Sequence, residues 1–287
     1  MKIDVSLGGD LATTPDHAAA LRAAGIEGGF SFEGYSDAFF PLVTAASAGL
    51  DLYTNVAIAF PRSPMHLAYQ GWDLQRATGG RFALGLGTQI KPHITKRFSM
   101  EWSKPAARAK EMISAISAIW DTWEHGEPLQ FRGEFYTHTL MTPFFTPDKS
   151  DLGDFGRPNI WLAGVGELMT RTAGEVCDGF ICHGFTTEKY LREVTLPNLS
   201  EGRERAGKSM DDFMISGPFF VVSGNNEQEF EEVCTMLKEV TGALKALRER
   251  MDKQRRAELM EEMALAGRQG RLSLIHISEP TRRRGIS

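Results

Sequence analysis

Two glycine-rich junctions and a few acid–base side chains are the residues whose type and spacing could do chemistry in this chain. The string IWLAGVGELMTRTAGEVCDGFICHGFTTEKY (160–190) holds both junctions, Gly164-Val165-Gly166 and His183-Gly184, each where an apolar run gives way to a helical pattern. Backbone N–H groups at such a junction, with a helix dipole behind them, suit a phosphate. Taken singly, each also reads as an ordinary chain reversal. GRFALGLGTQ (80–89) alternates small and large apolar residues and ends in Gly87-Thr88-Gln89. Its glycines serve either a ligand approaching the backbone or a plain steric need. Candidate acid–base groups are Glu33, His93 and His138. His93 stands in KPHITKR, where Lys91, Lys96 and Arg97 would suit an anionic substrate or an acidic cofactor tail. The same residues equally make a solvated basic loop. His138 follows Tyr136 in a stretch that could simply cover the fold, and Phe60, Arg62 and Trp102 either shape a substrate pocket or pack its rim. Cys177 and Cys182 have no His or Asp at metal-ligand spacing and read as small buried residues, so no metal site is expected.

Short β-rich runs alternating with helical patterns must position these residues. The strands are expected at 2–7, 28–33, 50–60, 81–87, 159–164, 179–184 and 213–224. Between them, Thr14 is expected to cap a helix that opens on Pro15 and ends at Gly25, and further helices span 64–78, about 104–124, from Gly166, and from Thr187 to about Ala206. An excursion at 131–145 runs on as polar sequence to 158. Beyond Asn226, the residues Phe230, Val233, Leu237, Val240, Leu244, Leu247 and Met251 share one face, the pattern of an outer barrel helix. Such alternation predicts a parallel sheet of βα units. In a (β/α)8 barrel the site lies at the C-terminal strand ends. That rule selects Glu33, the 55–62 segment, 88–93, 164–166 and 183–186.

A net charge of −5 argues against a nucleic-acid footprint, and no apolar run approaches the ~20 residues of a membrane span. With three scattered cysteines and no signal-peptide pattern, a cytoplasmic setting is expected. A metal-dependent barrel hydrolase would need acids and histidines converging from several strand ends, and only Glu33 and His183 stand there.

The ordered set RSPMHLAYQGWDLQRATGGRFALGLG, IWDTWEHG, FRGEFY and NIWLAGVGELMTRTAGEVCDGFIC resembles the luciferase-like monooxygenase superfamily over nearly all of residues 1–235. QIKPHITKRFSMEWSKPAAR and EFYTHTLMTPFF resemble its deazaflavin (coenzyme F420)-dependent oxidoreductase branch. The resemblance implies a luciferase-like TIM barrel with the ring of a flavin or deazaflavin lying across its mouth. It implies a non-proline cis peptide in the third strand, which matches Asn55–Val56, and an acidic residue after the second strand, which matches Glu33. Gly87, Thr88 and Gln89 match the loop beside the ring; Gly164, Val165, Gly166, His183 and Gly184 match the phosphate and tail region. Glu33 and His93 are thus the expected catalytic groups, with Phe60, Arg62 and His138 at the substrate. The expected activity is hydride transfer between F420 and a small organic substrate. The alternative is an FMN-dependent monooxygenase using molecular oxygen with a separate reductase. Relatives often pair as homodimers.

An eighth strand is not legible, so the expected barrel is truncated before it, with a domain at 1–271. LSLIHISEPTRRRGIS (272–287) resembles the translation of a sequencing adapter and is expected to be non-native.

Overall fold

A computed structural model of the chain describes residues 2–217 and scattered positions between 226 and 239. The later part of the seventh expected strand, the apolar stripe from Phe230 and the 272–287 tail lie outside the described residues. In chain order the elements are β1 (Asp4–Ser6), α1 (Thr14–Ala23), β2 (Gly28–Ser31), α2 (Phe40–Ala45), β3 (Asp51–Thr54), β4 (Ala57–Ile58), α3 (Pro64–Thr78), β5 (Phe82–Gly87) and α4 (Pro105–His125). They continue with β6 (Phe131–Arg132), β7 (Thr137–His138), β8 (Asn159–Ala163), α5 (Glu167–Val176), β9 (Gly179–Ile181), α6 (Glu188–Tyr190), α7 (Leu196–Arg205) and β10 (Met214–Ser216). All seven expected strands are present, the third broken into β3 and β4.

Local chemistry sets most of these boundaries. Ser63 accepts from the Met65 N–H, Pro64 opens α3, and Gly79 closes it in the left-handed conformation. The expected cap at Thr14 is corrected. Its hydroxyl donates to the Asp10 carbonyl at 2.5 Å, and Thr14 is itself the first helical residue. The helix expected from Thr187 passes through a π turn at Leu191–Thr195, just before Pro197, whose missing N–H cannot join the ladder.

The large sheet is parallel, with order β1-β2-β3-β5-β8-β9-β10 and β4 alongside β5. It curls into the wall of a barrel. β3 and β10 stand four strand spacings apart in that order, ~19 Å if the sheet were flat. Yet the Tyr53 hydroxyl on β3 interacts with both Asp4 on β1 and Ser216 on β10, which only a curled sheet permits. Burial and the Asp4 carboxylate hold the Tyr53 phenol well above its ordinary range. The Tyr53 ring lies 5.4 Å from Phe30 on β2 and 5.0 Å from Trp161 on β8, making an aromatic floor inside the wall. The opposite face of the sheet, with Leu52, Leu84, Leu86, Ile160, Leu162 and Phe180, packs into the main core with Trp72 and Trp120 of the helices.

The excursion after α4 is fastened to the outside of that wall. β6 and β7 pair as a short antiparallel hairpin. Its turn wraps the Glu111 carboxylate of α4, which accepts from the N–H groups of Glu134, Phe135 and Tyr136 at 2.9, 2.7 and 2.7 Å. A Cβ at Gly133 would stand 2.1 Å from Glu111 Oε1, so the turn closes on the carboxylate only with glycine there. Farther along, Tyr69 donates to the Phe145 carbonyl at 2.5 Å and Arg76 pairs with Asp151. Charge-assisted bonds to backbone amides contribute about 1.5–3 kcal/mol each. Glu111→Ala should therefore lower the unfolding free energy by about 2–3 kcal/mol in urea titration; an unchanged midpoint would show that the hairpin holds without its anchor.

Candidate active site

The break in the third strand shapes the mouth of the barrel. Tyr53 pairs with Ala83 and Ala57 with Leu86, so four steps along β3–β4 oppose three along β5. The surplus residue makes a bulge at 54–57, and the Asn55–Val56 bond within it is cis, as the resemblance implied. The bulge leans over β5. A Cβ on Gly85 would stand 1.8 Å from the Thr54 carbonyl oxygen, and one on Gly87 2.5 Å from Val56 Cγ2. The steric reading of FALGLG has its own ground at these glycines, which make room for the neighbouring strand. The bulge forms a shelf above the aromatic floor, with Asn55 half-buried on it and Val56 buried.

Beyond the shelf, the expected cofactor residues fall on one rim. The registers Gly87↔Ala163 and Ala163↔Ile181 bring Thr88, Gly164 and Cys182 to the same level on adjacent strands, with His183 one residue above. Thr88, Gln89, Gly164, Val165, His183 and Gly184 are all half-buried, while β5 and β9 below them are buried and β8 alternates. Gln89 has φ 58, and its own Oε1 accepts from the Ile90 N–H at 2.9 Å. Among the described residues, Ser99 and Lys104 are the other non-glycine residues with positive φ. All three lie in the 88–104 loop between β5 and α4, where a non-glycine left-handed conformation is uncommon. At the α5 end of the rim, the Gly166 N–H donates to the Tyr190 hydroxyl at 3.2 Å, and Glu167 occupies the first helical position. The Phe185 N–H donates to His183 Nδ1 at 3.2 Å, with the two rings 5.5 Å apart.

The proposed acid–base and substrate residues separate into different environments. Glu33 is 8% exposed, and its Oε2 accepts from the Ile58 N–H at 2.8 Å and from Arg62 Nη1 at 2.5 Å. Arg62 also donates to the Ile58 carbonyl at 2.8 Å and to Asp37 at 2.9 Å, and its guanidinium lies 5.4 Å from the Phe39 ring. Arg62 is thus bound to protein carboxylates. Phe60 is fully buried, 5.7 Å from the Trp102 ring and 4.5 Å from the Arg108 guanidinium, so it packs the core behind the rim and does not line an open pocket. His93 opens a π turn at His93–Arg97 in the β5–α4 loop and is half-buried. From the same turn, Arg97 donates to the Gly34 carbonyl at 2.9 Å, tying this loop to the one after β2. His138 lies in the hairpin with Nε2 buried and no hydrogen-bond partner, and burial lowers its pKa. Cys177 and Cys182 are buried; burial and the nearby Asp178 push the Cys177 thiol far up, and burial pushes Cys182 up to about 11. Among the described residues, no group of His, Cys, Asp and Glu is arranged to hold a metal ion, and no helix is long and apolar enough to cross a membrane.

Sequence reasoning missed Arg108 and Asp37. Arg108 donates to the Tyr136 hydroxyl at 2.9 Å, to the Glu101 carbonyl at 2.7 Å and to the Phe60 carbonyl at 3.4 Å, joining three segments beside the mouth. Nothing in the spacing of AARAKEM distinguishes it. Asp37 carried a weak signal, a short acidic residue in a loop after a strand, where it accepts from the Phe39 N–H at 2.7 Å.

With the bulge, the rim and the barrel wall in place, comparison with known proteins is decisive. A family model described as luciferase-like monooxygenase matches residues 2–281. The chain belongs to that family. The match runs past Arg271, into the stretch that resembles adapter sequence. The chain is 45% identical over 237 residues to an uncharacterized protein of Mycobacterium tuberculosis, covering 82% of this chain and 69% of that one. It is 28% identical over 209 residues to an F420-dependent glucose-6-phosphate dehydrogenase of Nocardia farcinica, covering 71% of this chain and 57% of the relative. Among solved structures it is similar to the oxygenating constituent of 3,6-diketocamphane monooxygenase from the CAM plasmid of Pseudomonas putida, a type II Baeyer–Villiger monooxygenase in complex with FMN. That likeness has a TM-score of 0.60 at 18% identity over 83% of this chain and 71% of the other, and it shows the fold. This luciferase-like chain therefore has an F420-dependent dehydrogenase among its relatives and shares its fold with an FMN-bound monooxygenase.

His138 supplies a test of the hairpin's burial. A histidine held neutral in the fold contributes fully above its ordinary value of 6.5, and that contribution is lost as pH falls below 6.5 through the lower native pKa. Between about pH 7 and pH 5 the wild-type melting temperature should fall more steeply than that of His138→Phe; parallel curves would show that the imidazole is solvated.

Proposed function

We propose that this luciferase-like chain is an oxidoreductase that moves a hydride between coenzyme F420 and a small organic substrate. The observation that carries this reading is the pairing of shelf and rim. The bulge at 54–57 offers a backbone surface, and the half-buried groups of Thr88, Gln89, Gly164, Val165, His183 and Gly184 continue it across adjacent strand ends. Over three strand spacings that rim measures ~14 Å, long enough for a fused ring system and the start of its side chain. The fit is also chemical. Peptide groups and glycine offer hydrogen bonds and close approach without bulk, while the floor below presents aromatic ring surface. The kinship with an F420-dependent dehydrogenase, at 28% identity, favours the deazaflavin over FMN.

On this reading Asn55 and Val56 would support the ring, Thr88 and Gln89 would meet its edge, and Gly164–Gly166 with His183 and Gly184 would hold the phosphate and tail. When bound, the deazaflavin supplies or takes up the hydride; the protein orients the partners and excludes water. Hydride removal from an alcohol-type carbon leaves a proton on its oxygen. His93 is offered as the group that takes that proton, since imidazole gains and loses protons near neutrality and the residue stands in the loop over the mouth. Glu33 is a weaker candidate, because its Oε2 already accepts from Ile58 and Arg62.

The test is a fluorescence and absorbance titration of the protein against F420 and FMN, each oxidised and reduced. Micromolar or tighter binding with preference for F420 is expected; preference for FMN would make the protein an oxygen-using monooxygenase. His93→Ala should lower turnover by about 10²–10⁴-fold and leave cofactor affinity unchanged. Wild-type turnover in that variant would remove His93 from the chemistry.

A further inference from the structure

We propose that Glu33 and Arg62, backed by Asp37, form a positioning unit that replaces a missing rung of the sheet and holds the shelf in place. Glu33 then serves as a fixed anion and not as a proton-transfer group. The argument begins with the hydrogen-bond directions of β4. In a parallel strand, alternate residues turn both their N–H and C=O to the same side. Ala59 donates to the Gly87 carbonyl at 2.9 Å, so Ala59 faces β5 and Ile58 turns both its groups the other way, toward β2. But β2 ends at Ser31 and offers Ile58 no strand partner.

Side chains fill the gap. The Ile58 N–H donates to Glu33 Oε2 at 2.8 Å, and the Ile58 carbonyl accepts from Arg62 Nη1 at 2.8 Å. The two side chains close the rung by pairing with each other at 2.5 Å. Two backbone bonds brace the same segment from β2, Asn55 N–H to the Ser31 carbonyl at 2.7 Å and Glu33 N–H to the Val56 carbonyl at 3.2 Å. Arg62 is held from behind by Asp37 at 2.9 Å and by the Phe39 ring. A buried pair of this kind is costly to break, because Glu33 without Arg62 is an uncompensated buried charge and Arg62 without Glu33 keeps only Asp37. The rung therefore fixes the bulge on the side opposite β5, and both faces of the shelf are anchored.

The proposal rests on the cofactor reading only for its consequence in binding, so two readouts separate the two ideas. In the full chain, hydrogen–deuterium exchange over residues 51–60 reports the rung without any cofactor. Glu33→Gln and Arg62→Met should each speed exchange there by about tenfold or more, with strands β8 and β9 unchanged. The double variant should be no worse than the poorer single one, the sign of a shared interaction, and Arg62→Lys should recover part of the protection. Should the methionine variant fail to fold, Arg62→Lys and Glu33→Gln carry the comparison. F420 affinity should fall in parallel with the loss of protection. Unchanged exchange in the variants, or effects that simply add, would overturn the rung. So would a Glu33→Gln protein that loses turnover alone while exchange and cofactor affinity stay as in the wild type. If the wild type binds neither F420 nor FMN, the cofactor reading fails and the exchange data alone decide the rung.

Discussion

One surplus residue in the third strand is the constraint from which the rest of the mouth follows. A bulge in a buried parallel sheet must push into its neighbours, and here it pushes toward β5. The strand there can accept it only without side chains, which accounts for glycine at both 85 and 87. The same bulge ends the regular ladder with β2, leaving the amide and carbonyl of Ile58 to be satisfied by other means. Shelf, glycine wall and buried ion pair are therefore three answers to a single backbone irregularity.

Much of this architecture was legible in the chain. Continuous apolar runs such as LDLYTNVAIAF and RFALGLG located strands buried on both faces, and the alternation of runs with helical patterns called for a parallel sheet. The ordered motifs pointed to the right family and to the cis bond at Asn55–Val56. Partner choice was less legible. Glu33 was visible as an acid at a strand end, but the cation facing it stands twenty-nine positions later, and local spacing cannot pair residues at that distance. Phe60 read as a rim aromatic because its place along the strand was right; its burial depends on Trp102 of the β5–α4 loop and Arg108 of α4. Glu111 was hidden for a similar reason, since its role is defined by three amides of a turn beyond the end of its own helix.

Arginine and carboxylate contacts distribute rigidity unevenly around the mouth. The loops after β2, β4 and β5 are joined by Arg62 and Arg97, and the hairpin joins that group through Arg108 and Glu111. This side of the barrel is preorganised, so a ligand meeting it need not order those loops on arrival. On the β8–β9 side the rim residues are half-buried, and their bonds include a local turn from Thr186 N–H to the His183 carbonyl and the longer reach of Gly166 N–H to the Tyr190 hydroxyl.

The aromatic floor has its own consequence for traffic. Phe30, Tyr53 and Trp161 meet below the shelf on neighbouring strands of the described barrel wall, so the surface beneath the shelf on that side is aromatic. On that side a molecule resting on the shelf would be approached from above, past the half-buried rim residues.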